Sequence, residues 1–235
     1  MSVLPELVLI DKPKGITSFD VIRRMRRHYS DAHNGEKAPK LGHAGTLDPL
    51  ATGLMLLGVG PGTKKLTDLT KLDKEYVAEV LIGERRTTGD MEGEVMESRP
   101  VVEDEVELEE SVRRTLAQMV GELTLPVSAY SAIKVDGVAM YKRARKAEKT
   151  GDIVTEVPTR TMRVDEAELF GSVFVRGGRA VAKVRFKVGS GTYIRSLAEE
   201  LGACIGYPAT LQNLRRTKVG EYDIASARHI EDWYK

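Results

Sequence analysis

The stretch Leu41-Gly-His-Ala-Gly-Thr-Leu-Asp-Pro-Leu-Ala-Thr-Gly-Leu54 sets one carboxylate, Asp48, among Gly42, Gly45, Pro49 and Gly53. Glycine lets backbone approach a ligand closely and proline fixes φ, so such a loop can hold a carboxylate at a reacting centre. The same residues also suit a plainer role, in which Asp48 caps a turn. A second stretch, Gly58-Val-Gly-Pro-Gly-Thr-Lys-Lys65, has the outline of a phosphate loop, but Thr63 stands where the Walker pattern needs glycine. The dinucleotide fingerprint fails at the same place, so these glycines predict a turn, with Lys64 and Lys65 solvated or against a polyanion.

Composition narrows the classes. The 235 residues are 41% hydrophobic and 30% charged, which is globular and not disordered. Apolar runs such as Leu54–Gly60 fall far short of the roughly 20 residues of a membrane span, and no signal-peptide pattern opens the chain. A cytoplasmic protein is expected. Cys204 is the single cysteine and cannot form an internal disulfide, and His28, His33, His43 and His229 have no paired ligand spacing, so no metal is expected. The net charge of +1 conceals polarity. Lys12–Lys40 holds eight Lys and Arg against three acids and Lys134–Lys149 six against two, whereas Glu103–Glu110 has six acids in eight residues. Solvated helix faces or a polarised, polyanion-binding surface both fit that distribution.

The elements that must position these residues follow from periodicity. Leu7–Ile10 predicts a buried strand. Thr17 or Ser18 caps a helix with Val21, Ile22 and Met25 on one side and Arg23, Arg24, Arg26 and Arg27 on the other. Ser30–Lys40 predicts a loop around Asn34-Gly35. Tyr76–Ile82 predicts a strand, and Val112, Leu116 and Met119 a helix stopped at Gly121. Phe170–Val175 and Val181–Val188 flank Arg176-Gly-Gly-Arg179 as a hairpin, with Ala182, Val184, Phe186 and Val188 facing a core. Tyr193–Leu201 predicts a helix ended by Gly202. Hairpins with intervening helices, and no βαβ repeat, give an α+β class around a mixed, mainly antiparallel sheet. No linker divides the chain, so a single domain over residues 1–235 is expected.

Taken together, the motifs carry a family resemblance. Leu41–Leu54 resembles the catalytic motif of the TruB-type tRNA pseudouridine synthases, with Asp48 at the nucleophilic aspartate. Asp11-Lys-Pro-Lys-Gly-Ile-Thr-Ser18 is similar to that family's N-terminal motif, and Lys74-Glu-Tyr76 to its central strand motif. Tyr130-Ser-Ala-Ile-Lys134 resembles its RNA-binding segment, Gly191-Thr-Tyr-Ile-Arg195 its arginine motif and Leu214-Arg-Arg216 its last signature. The motifs occur in the family's order from about residue 7 to 220.

The resemblance implies a pseudouridine-synthase-like catalytic domain with flanking helices and an RNA-gripping thumb inserted at about 125–158. The implied reaction is isomerisation of uridine to pseudouridine in the tRNA T-loop, position 55, by an isomerase with no cofactor. Alternatives are the same chemistry on another structured RNA, a mainly non-catalytic tRNA-folding helper, and a glycosidase built on Asp48 and Asp90. By the resemblance, Arg195 pairs with Asp48 and Tyr76 lies against the target base. His43 is the wedge that replaces the flipped base, Tyr193 and Leu214 line the pocket, and Asp90 contacts the base edge or orders its loop. Lys134, Tyr141, Arg143 and Arg145 belong to the thumb, and Lys64 adds a phosphate contact. Partners are the T-arm of tRNA, with no membrane and no obligate protein partner. Three features depart from the family pattern. Arg86-Thr87-Thr88 replaces Thr-Asp-Thr, Pro126–Tyr130 is one residue longer than usual, and Ser190 replaces a common lysine. With the sequence ending at Lys235, no C-terminal PUA domain is expected.

Overall fold

The computed structural model describes residues 5–131, 133–150 and 157–233. In chain order its strands and α-helices are β1 (Leu7–Lys12), α1 (Ser18–Ala32), β2 (Leu41–His43), β3 (Thr52–Val59), α2 (Leu66–Lys71), β4 (Lys74–Ile82), β5 (Glu84–Arg86), β6 (Val95–Ser98), α3 (Glu105–Gln118) and β7 (Gly121–Pro126). There follow β8 (Lys134–Val135), β9 (Val138–Ala139), α4 (Met140–Thr150), β10 (Thr159–Leu169), β11 (Phe174–Arg176), β12 (Arg179–Val188), α5 (Ile194–Ile205), β13 (Ala209–Val219) and β14 (Tyr222–Asp223). They form two compact units. One comprises Met1–Val77, Lys187–Ser190 and Asn213–Lys235, the other Ala78–Phe186 and Gly191–Gln212.

In the first unit strands are hydrogen-bonded in the order β1, β3, β13, β4. The β1 and β3 strands are antiparallel from Leu7 opposite Gly58 to Lys12 opposite Gly53, and β2 adds antiparallel to β3. Beyond them β13 runs parallel to β3 through Arg215 opposite Thr52 and Arg216 opposite Gly53, so the sheet is mixed. The run Thr52–Val59 is buried on both faces, as a continuously apolar strand requires. Ala44, Leu54, Leu56 and Val219 centre a core against which Leu66, Leu69, Leu72 and Tyr222 pack. Helix α1 starts with a capping box, the Thr17 hydroxyl accepting from the Asp20 N–H and the Asp20 carboxylate accepting from the Thr17 N–H. Its Val21, Ile22 and Met25 are buried, each worth about 1.5–3 kcal/mol. The helix runs to Ala32, taking in the first three residues of the Ser30–Lys40 stretch that the polar composition predicts as loop. Glycine 62 is required by contact, because a Cβ there would lie 2.0 Å from the Glu6 carbonyl oxygen. That close approach explains the glycine-rich stretch without a phosphate.

In the second unit the order is β4, β12, β10, β7. The β12 strand alternates as expected, with Ala182, Val184 and Phe186 buried. It forms the expected hairpin with β11, turning through Gly177 and Gly178 at φ of +60° and +72°. The first hairpin strand is shorter than Phe170–Val175, beginning only at Phe174. Two expected glycine stops are corrected. Helix α3 ends at Met119 in a right-handed cap, and Gly121, at φ +124°, instead opens β7. Helix α5 runs past Gly202 to Ile205 and ends at Gly206, whose φ of +84° makes the left-handed cap. Gly202 is a packing glycine, since its Cβ would sit 2.3 Å from that of Ala209. The described part of 125–158, where the resemblance implies a thumb, includes the β8–β9 hairpin and α4, while Ala132 and residues 151–156 lie outside the described residues.

Candidate active site

In the first unit the loop carrying Asp48 is held on both sides. Ser18, buried at the first turn of α1, donates its hydroxyl to the Leu47 carbonyl at 3.0 Å and accepts from the Leu47 N–H at 2.8 Å. On the other side, Lys12 is 0% exposed and donates from Nζ to the carbonyls of Ala51 at 2.6 Å and Pro49 at 3.4 Å. The Pro49 carbonyl also accepts from the Gly15 N–H at 2.8 Å, and Ala51 N–H donates to the Asp48 carbonyl at 3.1 Å. The residues on either side of Asp48 are therefore held through their backbone atoms by residues of β1 and α1. Ser18→Ala should leave a buried N–H and carbonyl without these partners, a cost of about 1–3 kcal/mol. We expect a lower melting temperature and, for any reaction carried out by the Asp48 carboxylate, kcat reduced about tenfold or more with KM little changed. Unchanged kcat and melting temperature would show that the clamp does not position the loop.

Two further cations are buried beside this loop. Arg216, 1% exposed, donates from Nε to the Leu54 carbonyl at 2.7 Å and from Nη2 to the Gly45 carbonyl at 3.2 Å. Lys74 donates to the carbonyls of Thr70 and Leu72, both at 2.5 Å. Burial, reinforced by the Arg216 charge and opposed by Asp73, brings the Lys74 pKa down to about 8. Between pH 8 and the ordinary lysine value of 10.5 the unfolded chain holds the extra proton, so raising pH across this window favours the folded state. The melting temperature of the parent chain should gain on that of Lys74→Met from pH 8 to 10.5, and a constant gap would refute the shift.

His43 ends β2, and its Nδ1 is buried without a hydrogen-bond partner. Burial, then the Arg216 charge, lowers its pKa, so the ring is neutral near pH 7. Tyr76 is buried on β4, in phase with Lys74 and Ala78, and Leu214 is buried on β13. Lys64 is exposed in the 3-10 turn Gly60–Lys65, whereas its neighbour Lys65 pairs with Glu6 at 2.9 Å.

The second unit holds the other sequence-predicted residues. Asp90 is 3% exposed, accepts from the Thr88 hydroxyl at 2.5 Å and the Glu92 N–H at 3.1 Å, and lies 3.8 Å from Arg195 Nε. Arg195, at the start of α5, donates to the Thr88 carbonyl at 2.8 Å, Ser128 Oγ at 3.2 Å and the Tyr130 carbonyl at 3.4 Å. The guanidinium thus ties the 88–90 turn to the approach to the thumb. Thr88 supplies both a hydroxyl for Asp90 and a carbonyl for Arg195. Tyr193 is half-buried just before α5, its N–H directed at Met162 Sδ at 3.4 Å. A cleft of about 1140 Å³ is lined by Arg85, Arg86, Tyr130, Ser196 and Glu199, among others. Burial raises the Glu199 pKa, Arg85 and Arg195 oppose it, and Asp90 adds to it. Between β7 and β10, Lys134 is exposed, Arg145 lies 5.7 Å over the Tyr141 ring, and Arg143 binds the Val135 carbonyl and Asp136.

Sequence reasoning quoted Lys12, Lys74 and Arg216 within motifs without giving them roles, and offered Ser18 only as an alternative to Thr17 for the helix cap, which Thr17 makes. For the lysines there was a signal: Lys12 continues the buried phase of Val8 and Ile10, and Lys74 that of Tyr76 and Ala78. Among the described residues no cluster of three or more His, Cys, Asp or Glu is placed to hold a metal ion, and no helix is long and apolar enough to cross a membrane.

The α+β architecture is that of pseudouridine synthases. The chain superposes on the archaeal box H/ACA sRNP Nop10-Cbf5 complex with a TM-score of 0.63 at 23% identity, over 97% of this chain and 52% of that one. A Cbf5-Nop10-Gar1 complex gives a TM-score of 0.62 at 21% identity, over 97% and 54%. The chain thus spans about half the length of these solved chains. Residues 33–194 match the model of the TruB family pseudouridylate synthase N-terminal domain. A tRNA pseudouridine synthase B from Leifsonia xyli subsp. xyli is 41% identical over 225 residues, covering 95% of this chain and 70% of the relative. One from Mycobacterium leprae is 38% identical over 235 residues, covering 97% and 68%. The chain belongs to the TruB family of pseudouridylate synthases, isomerases that convert uridine in RNA into pseudouridine.

Proposed function

We infer that this chain isomerises the T-loop uridine of tRNA, position 55, in the cytoplasm, with Asp48 as the reacting carboxylate. The observation that carries this reading is the two-sided backbone clamp on the Asp48 loop, in a chain whose relatives are named tRNA pseudouridine synthase B. The glycosidic bond from C1′ to the base N1 breaks, the detached base rotates, C1′ bonds to C5, the C5 proton leaves, and N1 takes up a proton, so that atoms and charge balance. No electron carrier enters that balance. A fixed carboxylate serves it either by attacking C1′ or by removing the 2′ proton to begin a glycal route.

The uridine must first leave its stack, at a cost of a few kcal/mol. His43 is the wedge in this reading, and its neutral ring suits stacking in the vacated place. Tyr76 stacks on the flipped base and Leu214 and Tyr193 bound the pocket, while Arg195 serves the reacting carboxylate and Lys64, Lys134, Tyr141, Arg143 and Arg145 hold RNA. The test is incubation of the purified chain with unmodified tRNA transcript and chelator, mapping pseudouridine at nucleotide resolution. Product at the T-loop uridine is expected. Product confined to other positions would overturn the T-loop assignment, and no product would overturn the tRNA reading.

A further inference from the structure

We propose that the outer face of α1 is an RNA-contact surface that binds the phosphate backbone flanking the reacting nucleotide. This rests on the reading of the chain as an RNA isomerase reacting at Asp48. Phe19, Arg23, Arg26 and Arg27 fall at i, i+4, i+7 and i+8, so they share one side of the helix. The opposite side, Ser18, Val21, Ile22 and Met25, is buried. The three arginines are exposed, and Phe19 is 60% exposed, an unusual position for a large apolar ring on a helix that already buries its own apolar stripe. Asp20 holds Arg23 at 2.5 Å, whereas among the described residues no carboxylate lies in ion-pair distance of Arg26 or Arg27.

Location argues for a ligand over a merely solvated face. Ser18, the residue before Phe19, grips Leu47 beside Asp48, and α1 packs on β2, which ends in His43. The stripe therefore begins at the Asp48 loop and extends about 12 Å from it along the helix axis. The unit that carries both has 18 Lys and Arg against 13 Asp and Glu, whereas the other unit has 18 against 22, so the positive surplus lies where the stripe is. An RNA with its target nucleotide at Asp48 must lead its flanking chain away across neighbouring surface. Guanidinium groups pair with phosphates, and an exposed aromatic ring stacks on an unpaired base.

The test compares the parent with Arg26→Gln/Arg27→Gln, remote from the hydrogen bonds of the Asp48 loop, and with Phe19→Ala, which leaves the Ser18 hydroxyl that makes them in place. Direct binding to tRNA transcript across a salt series is measured beside kcat and KM. For the double variant we expect Kd and KM to rise about tenfold, with kcat within about twofold and a salt slope shallower by about 1.5, as for two lost phosphate contacts. Phe19→Ala should weaken binding with the salt slope unchanged. Parent-like affinity and slope in the double variant would overturn the proposal, as would a loss confined to binding of anionic lipid vesicles. The failures are separable: a parent chain that makes no pseudouridine sinks the functional reading, while the binding arm decides the surface by itself.

Discussion

Asp48→Asn is expected to reduce pseudouridine formation by at least about 10⁴-fold while tRNA affinity stays within tenfold, a loss above about 5 kcal/mol in transition-state stabilisation. The substitution keeps the shape of the side chain and removes the charge on which both routes depend, attack at C1′ and removal of the 2′ proton. Ser18 holds Leu47, and Lys12 holds Pro49 and Ala51, through backbone atoms. The loop should remain formed and the RNA surface intact, so the effect should fall on kcat. Single-turnover assays with excess enzyme, together with direct binding, separate the two quantities. Turnover within tenfold of the parent would remove Asp48 from the chemistry. A parallel collapse of affinity would make it an RNA-binding or structural residue instead.

What the sequence made legible was set by short-range physics. The strand β12 could be read because its alternation has a period of two and its turn needs two positive φ values, which Gly177 and Gly178 supply. Thr17 with Asp20 announces the start of α1 within four residues. Gly202 and Gly206 show where local reading ends. Both are glycines near the end of one helix, but only the contact with Ala209, formed after the chain returns in β13, reveals that the first is a packing position. The candidate site divides in the same way. The Asp48 loop was conspicuous from its own glycines and proline. The burial of Arg216 depends on the carbonyls of Leu54 and Gly45, 162 and 171 residues distant. The orientation of Arg195 likewise depends on Thr88, Ser128 and Tyr130, 107, 67 and 65 residues away. Side-chain type alone would place such cations in solvent.

Gly53→Ala should be severely damaging for so small a substitution, destabilising the protein by more than about 4 kcal/mol. Gly53 stands where the Asp48 loop enters β3, opposite Lys12 on β1 and Arg216 on β13. Its φ is +105°, a conformation that strains any side chain by about 1–3 kcal/mol. A Cβ there would lie 2.3 Å from the Arg216 carbonyl oxygen and 2.8 Å from its nitrogen. Both are backbone atoms, so no rotamer change relieves the clash and the two strands must separate. Separation would disturb the Arg216 hydrogen bonds to Leu54 and Gly45, leaving a buried guanidinium poorly partnered. Gly60→Ala supplies the control, since Gly60 also has positive φ, +54°, but nothing lies within 4 Å of its added Cβ. It should cost only about 1 kcal/mol. Urea unfolding of the two variants against the parent decides the matter. Severe loss at Gly53 with a mild effect at Gly60 locates the cost in the β3–β13 contact, whereas equal small losses would mean that backbone strain alone is at work and that the strand pairing tolerates a methyl group.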